Sequence, residues 1–371
     1  MPHKDLPIRP LVRAFDPVGG DTLGKPELDF ASLFREENVP EDAPLTLYPE
    51  DLGVPWHTSF PWVRQSKFWA LAEEAGRDFI TRISLDKASD RGRLPVEMDD
   101  DRRKGKIDEL VENAVSCVTY LYPTSSPIRL ALLAQSIILL FLHDDVMERG
   151  ETQDDMTVVD ELLTMAPKNQ HLKRFCTEVL EEDPVLGLDL ITAIHAWVRD
   201  GRVQSPFKQD HYAYLSDYMV YRRNDIGKQF MVAAVRFGCG VHQTPEELAP
   251  FEELTDLFTT HSILLNDLYS YDKEVYESKK LNGSIVNAVH VTKQLLSVSP
   301  ASAKNITRVM SWDMEKEFYA ISEKFMRDPS INHAQRVYIT GLLDATIGNI
   351  FHSATLSRYV RHAPEPLPCT T

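Results

Sequence analysis

Basic charge is what this sequence is short of. Against 56 aspartates and glutamates it sets only 40 lysines and arginines in 371 residues, a formal net charge of -16. That balance excludes a general nucleic-acid partner and a stable anionic-membrane partner, because both need a basic face to release counterions or to meet lipid phosphates. An anionic substrate would have to be met by metal ions or by a few local basic residues. Cysteine is also scarce. Cys117, Cys176, Cys239 and Cys369 lie far apart and form no Cys-x-x-Cys pair, which argues against a zinc site and against a disulfide framework. A reducing, cytoplasmic setting is therefore expected. No apolar signal segment follows Met1-Pro2-His3-Lys4-Asp5, and the longest apolar run, near 137–142, is too short to cross a bilayer. Gly-rich phosphate loops and a Ser-His-Asp set in a suitable context are missing too. So are alternating strand runs, an Asn-Gly hairpin between such runs, and a repeat of fixed period.

What is present is helical. With 43% hydrophobic and 26% charged residues the chain has the composition of a globular protein able to bury a substantial core. Ten of the 23 prolines, Pro2 through Pro61, fall within residues 1–61 and forbid long helices there; this stretch reads as an extended arm or cap. From Ser66 onward Phe68, Leu71, Ala72, Ala75, Phe79, Ile80 and Ile83 form a stripe at three- and four-residue steps. Residues 89–106, charged and glycine-containing, read as a loop. Helical patterns follow over 107–122, 128–147, 157–165, 171–180, 185–200, 209–237, 246–276, 284–296, 301–326 and 334–361. Pro127, Pro184, Pro245 and Pro300 sit at or just before helix starts, where a missing N–H does no harm. The fold class is all-α, a single large bundle over 62–362, with a proline-rich tail over 363–371 expected to be disordered.

Two polar constellations interrupt this pattern. The apolar helix ending Leu139-Leu140-Phe141-Leu142-His143 runs directly into Asp144, Asp145 and, one turn later, Glu148. Acids at the end of a buried stripe cost several kcal/mol of desolvation unless a cation neutralises them. The second constellation is Asn266, Ser270 and Glu274, spaced four residues apart twice over, so that a straight helix aligns an amide oxygen, a hydroxyl and a carboxylate on one face. Hard oxygen donors with little formal charge suit Mg²⁺ or Mn²⁺.

Asp144-Asp145-Val146-Met147-Glu148 resembles the aspartate-rich DDxxE motif of class I terpene cyclases, and Asn266 through Glu274 resembles their NDxxSxxxE motif, in the same order. The likeness extends from about Ser66 to Arg361 and is closest to the aristolochene synthase-like sesquiterpene cyclases of fungi. It implies a helical bundle around a central apolar cavity, a lyase reaction on a prenyl diphosphate, and ligand roles for Asp144, Asp145, Glu148, Asn266, Ser270 and Glu274 toward three Mg²⁺ ions, with Mn²⁺ able to substitute. It also implies diphosphate donors: Arg222 first and Arg223 second, the Arg358-Tyr359 pair near the C-terminus, and Lys273. Phe141, one turn before Asp144, would line the cavity; Tyr120, Trp197, Phe230, Trp312 and Phe351 are weaker candidates, since an aromatic at helical spacing is most often ordinary core.

Other acidic groups are set aside. Asp154-Asp155 reads as a helix cap, Glu181-Glu182-Asp183 and Asp99-Asp100-Asp101 as solvated loop charges, and His143 lacks a second histidine at ligand spacing. The alternatives to a sesquiterpene cyclase acting on farnesyl diphosphate are a C20 cyclase, a chain-elongating prenyltransferase, which would carry a second aspartate-rich motif, and a helical scaffold without activity. Exposed helix faces are compatible with a homodimer.

Overall fold

The computed structural model describes residues 8–19, 24–34, 43–89, 100–148, 167–204, 211–281 and 285–369, with the side chains of 84–89, 100–103, 144–148, 201–204 and 281 outside that description. The helix expected over 157–165 and the cap at Asp154-Asp155 lie outside the described residues. The helices are α1 (Phe30–Leu33), α2 (Trp69–Ser89), α3 (Asp100–Leu121), α4 (Pro127–Glu148), α5 (Gln170–Glu182), α6 (Pro184–Gln204), α7 (Leu215–Asp225) and α8 (Lys228–Cys239). After them come α9 (Pro245–Leu248), α10 (Glu252–Leu281), α11 (Ala288–Leu296), α12 (Pro300–Arg327), α13 (His333–Thr355) and α14 (Ser357–Val360). Among the described residues no helix is long and apolar enough to cross a membrane.

Local chemistry explains the helix starts. Asn169 accepts from the N–H groups of His171 and Leu172 to open α5, and Ser299 with Pro300 opens α12. Thr244 with Glu247 and Asn332 with Gln335 form reciprocal capping boxes ahead of α9 and α13. α13 is buried on every face from Gly341 to Thr355, the mark of a helix at the centre of a bundle. It packs on α3, α8 and α10, while α4 packs on α2, α3 and α5 and α10 on α12. The crossing of α13 on α3 is so close that a Cβ at Gly348 would stand 2.1 Å from the carbonyl oxygen of Tyr120.

Several expectations are corrected. The charged stretch read as a loop over 89–106 is helical from Asp100, so Asp100 and Asp101 fall within α3; the charges hid the helix because they carry no apolar period. The pattern over 209–237 is two helices. Gly227, at φ +80°, separates α7 from α8 and lies against Trp197, where a Cβ would approach the indole to 2.9 Å. The pattern over 334–361 likewise breaks at Leu356, whose extended backbone (ψ 119°) divides α13 from α14. α11 starts at Ala288, capped by Asn287, rather than at 284.

The all-α reading has two small additions. β1 (Arg13–Ala14) pairs antiparallel with β4 (Leu367–Pro368), and β2 (Leu45–Leu47) with β3 (Val63–Gln65). Part of the tail expected to be disordered over 363–371 is paired: Leu367 and Pro368 form β4, and Cys369 N–H donates to Val12 O at 3.2 Å. The arm is stitched to the bundle by buried groups. Phe30, packed on Phe60 within the arm at 4.5 Å, meets Tyr319 at 5.1 Å, Thr58 Oγ1 and Ser59 N–H both donate to Glu315 at 2.7 Å, and just past the arm Arg64 grips Asp344 through two hydrogen bonds.

The Gly348 crossing yields a test of this architecture. Gly348→Ala is expected to lose about 1–3 kcal/mol or more in urea unfolding through overpacking, whereas Gly24→Ala, with nothing within 4 Å of the new Cβ, stays within about 0.5 kcal/mol of the parent.

Candidate active site

α10 carries the site. Its register places Asn266, Ser270 and Glu274 on one face, with Lys273 beside them. Ser270 Oγ donates to Glu274 Oε1 at 2.5 Å, so the hydroxyl and carboxylate oxygens already converge. Asn266 joins the row to two other elements: its Oδ1 accepts from Arg222 Nη2 at 3.0 Å, and its Nδ2 donates to the Tyr359 phenol at 3.1 Å. Three candidates from α7, α10 and α14 are thus joined directly. Lys273 is almost fully buried and pairs with Glu277 at 3.1 Å.

Behind the row sits Asp267, with no accessible surface. Its carboxylate accepts from Arg222 Nε at 3.2 Å and Nη2 at 3.0 Å, from the Tyr218 hydroxyl, and from the N–H of Ala288 at 2.7 Å. Arg222 also pairs with Asp225 one turn along α7. Arg223 points elsewhere, toward Thr260 at 3.4 Å and Asp256 at 3.8 Å, which separates the two arginines as neighbours on a helix must be separated.

The electrostatics follow from burial. Burial and the nearby Asp267 carboxylate push the Glu274 carboxyl up to about 7, against the opposing pull of Lys273, Ser270 and Arg222. Burial raises the Tyr359 phenol, against the pull of Lys273 and Arg358. Burial also raises Asp267, although Arg222, Tyr218 and the Ala288 amide oppose it.

The first acidic motif lies at the end of α4. Its helical backbone runs through Glu148, but the side chains of Asp144, Asp145 and Glu148 lie outside the described residues. His143, buried and immediately before them, packs edge-on against Trp197 at 5.7 Å, and the Trp197 indole donates to Asp225 O at 2.7 Å. A chain of contacts therefore leads from the end of α4 to Arg222. Phe141 is half-buried on α4 and Phe230 buried in the first turn of α8. Phe351 is fully enclosed, edge-on to Tyr120 at 4.7 Å and Trp56 at 6.2 Å, in the packed core of the bundle. Trp312 is tied to the arm through His57 O at 2.8 Å.

The donor set suits a hard divalent cation. An amide oxygen, a hydroxyl and a carboxylate on successive turns offer oxygen alone, with the Ser270 and Glu274 oxygens already facing one another. Among the described residues His, Cys, Asp and Glu do not gather in threes at a point that could hold an ion, as expected of a row that contributes one carboxylate. Sequence reasoning missed Tyr218, Asp225 and Asn287. The first two share the α7 face of Arg222 at spacings of four and three residues, a signal open to inspection. Asn287 donates to Asp267 O at 2.7 Å and to Ser270 Oγ at 3.4 Å; starting the helix at 284 concealed its position as a cap.

Comparison with known proteins identifies the family. Residues 135–317 match the model of terpene synthase family 2, C-terminal metal binding, a span that includes both acidic constellations. Over 371 residues the chain is 67% identical to terpene cyclase 6 of Gibberella fujikuroi, covering 100% of each. It is 34% identical to terpene cyclase aneC of Aspergillus aculeatus over 97% of this chain and 84% of that relative. Among solved structures, aristolochene synthase from Penicillium roqueforti shares the fold, with a TM-score of 0.64 at 18% identity over 81% of this chain and 98% of that one. A full-length relative at this identity and a bundle of this form have one reading: the chain is an enzyme of the terpene cyclase family.

Proposed function

We propose that this enzyme ionises a linear prenyl diphosphate, farnesyl diphosphate in particular, and closes the allylic cation to a cyclic sesquiterpene hydrocarbon or alcohol with release of diphosphate. The observation that carries this reading is the joining of Arg222, Asn266 and Tyr359 by direct hydrogen bonds beside the Ser270–Glu274 pair. The likeness of both motifs to those of fungal sesquiterpene cyclases supports a C15 substrate. We take 62–362 as the catalytic domain and 1–61 as its arm.

Asn266 Oδ1, Ser270 Oγ and the Glu274 carboxylate would hold metal from α10, with Asp144, Asp145 and Glu148 assigned to the facing side from α4. Bound divalent metal, Mg²⁺ in three ions with Mn²⁺ as a substitute, supplies the positive charge that stabilises diphosphate as the allylic C–O bond breaks. Arg222 is pre-aimed by Asp225 and Asp267 and donates to the diphosphate oxygens, as do Lys273, Arg358 and the Tyr359 phenol. Preorganised donors of this kind cost no reorganisation at the moment of reaction. Arg223, turned to Asp256 and Thr260, is assigned to the α7–α10 contact instead. Phe141, Phe230 and Trp197 are the aromatic groups we assign to the cavity wall, where ring faces stabilise the cation and exclude water; Phe351, closed in by Tyr120 and Trp56, belongs to the core. The departing diphosphate is a candidate base for the final deprotonation.

Purified protein given farnesyl diphosphate with Mg²⁺ should release diphosphate and a volatile terpene, and should do neither in excess EDTA. An absence of metal-dependent release from C10, C15 and C20 substrates alike would sink the proposal. Asn266→Leu should abolish turnover while far-UV circular dichroism stays that of the parent; near-normal turnover would show that the α10 row is not a metal site. The two arginines should separate cleanly in steady-state kinetics. Arg222→Ala is expected to lower kcat by about 10²-fold or more, the usual effect of losing one preorganised donor, and Arg223→Ala to change it only a few-fold; equal losses would remove the distinction drawn from their geometry.

A further inference from the structure

Residues 12–18 form a strap that touches both halves of the active site without entering it. On one side it meets the segment bearing Arg358 and Tyr359. Arg13 and Ala14 pair with Pro368 and Leu367, Cys369 N–H donates to Val12 O at 3.2 Å, and Phe15 N–H donates to Ala354 O at 3.1 Å. The strap therefore brackets residues 355–366 from both ends. On the other side it meets the turn of α10 that holds the oxygen row. The Phe15 ring stands edge-on to Tyr269 at 5.3 Å, and Val18 packs on a cluster containing Leu268, Tyr271, Val289 and Ala303. A helix turns 100° per residue, so Leu268 lies behind the row of Asn266, Ser270 and Glu274, and Tyr269 and Tyr271 lie on its two flanks.

Between these contacts the strap is fastened by charge. Asp16 is engaged by both terminal nitrogens of the buried Arg308 on α12, accepts from Val18 N–H at 3.2 Å and Gly19 N–H at 3.0 Å, and stands 3.4 Å from His57. Burial raises the Asp16 carboxyl, but Arg308, the Val18 amide and His57 outweigh it and hold the group below its ordinary range. A segment that served only to cover apolar surface would gain nothing from a fixed turn and an ion pair; these features set a position.

We infer that the strap is a positioning element for the diphosphate end of the site, fixing the Asn266–Glu274 row of α10 and the Arg358-Tyr359 turn in one register. The inference rests on the function proposed above. The contact it protects is the 3.1 Å hydrogen bond from Asn266 to Tyr359, made between the two pieces that the strap spans. Loosening the strap would misplace diphosphate donors relative to the metal ligands, and a shift of about 1 Å at a reacting centre can cost about 10²-fold in rate. Phe15, Asp16 and Val18 touch no reacting atom, so their role is positional.

The test uses the full chain with Asp16→Asn, Phe15→Leu and Phe15→Ala, and Lys316→Ala as a control that removes an exposed ion pair from the same helix as Arg308. Three readouts are compared: kcat and KM for farnesyl diphosphate, the rise in Tm produced by inorganic pyrophosphate with Mg²⁺, and amide exchange over 266–274 and 356–366. Asp16→Asn is expected to lower kcat about tenfold with a smaller change in KM. It should also cut the pyrophosphate-induced rise in Tm by more than half and speed exchange in both segments, while Lys316→Ala matches the parent. Phe15→Leu, which keeps apolar bulk, should fall between the parent and Phe15→Ala. If the strap variants lose Tm without ligand but keep the parent kcat, the full pyrophosphate response and parental exchange in both segments, the strap is only a cover and the inference is overturned. Should Phe15→Ala fail to fold, the near-isosteric Asp16→Asn decides alone. A parent protein without metal-dependent turnover would count against the proposed function, whereas the pyrophosphate and exchange measurements judge the strap without turnover.

Discussion

The arrangement on which the candidate site depends is the burial of Asp267 against Arg222. A carboxylate with no accessible surface must collect its hydrogen bonds from protein, and Asp267 takes them from α7 through Tyr218 and Arg222 and from the first turn of α11 through Ala288. One side chain therefore sets the relative position of three helices. Removing one partner of such a pair leaves an uncompensated buried charge, typically a loss of about 3–5 kcal/mol. The consequence reaches the chemistry at once, because Asp267 is adjacent to Asn266, and Arg222 bonds both. Glu274 lies in the same buried field, its carboxyl raised by burial and by Asp267. That is the electrostatic condition in which a cation is welcome.

The acidity of the chain has an internal counterpart. Asp16, Glu315 and Asp344 are held inside or near the boundary between the arm and the bundle, each by named donors: Arg308, then Thr58 and Ser59, then Arg64. Proline-rich sequence cannot build long helices of its own, and it docks here in both directions: Thr58 and Ser59 donate to Glu315 of α12, while Asp16 accepts from Arg308 of the same helix. The same logic explains the tail, which gains a partner strand from residues 13–14. Local sequence in the tail carries no strand pattern; pairing is supplied by a segment more than three hundred residues away.

Helix identity was largely readable from apolar spacing, as in α2, α4 and α10, whose stripes recur at three and four residues. Readings failed where a single residue overrode the pattern. Gly227 divides 209–237 because its positive φ and its contact with Trp197 are set by packing, and Leu356 divides 334–361 because an extended residue is needed to turn the chain toward Tyr359. The charged start of α3 was missed because solvent-facing helical turns need no apolar period. The site shows the same division. Asn266, Ser270, Glu274 and the Arg222-Arg223 pair stood out by residue type and spacing, but Tyr218, Asp225 and Asn287 did not, since each acts through a partner rather than through a ligand.

By itself the sequence determined a helical bundle, an acidic end to α4 and a row of three oxygen donors on α10, because side-chain periodicity along a helix is a local property fixed by 3.6 residues per turn. Only the tertiary structure decided which arginine turns to that row, which elements hold it from behind, and that the first and last described segments meet. Those outcomes depend on distances between residues remote in the chain, and burial of charge, which makes them energetically compelling, exists only once the helices have packed.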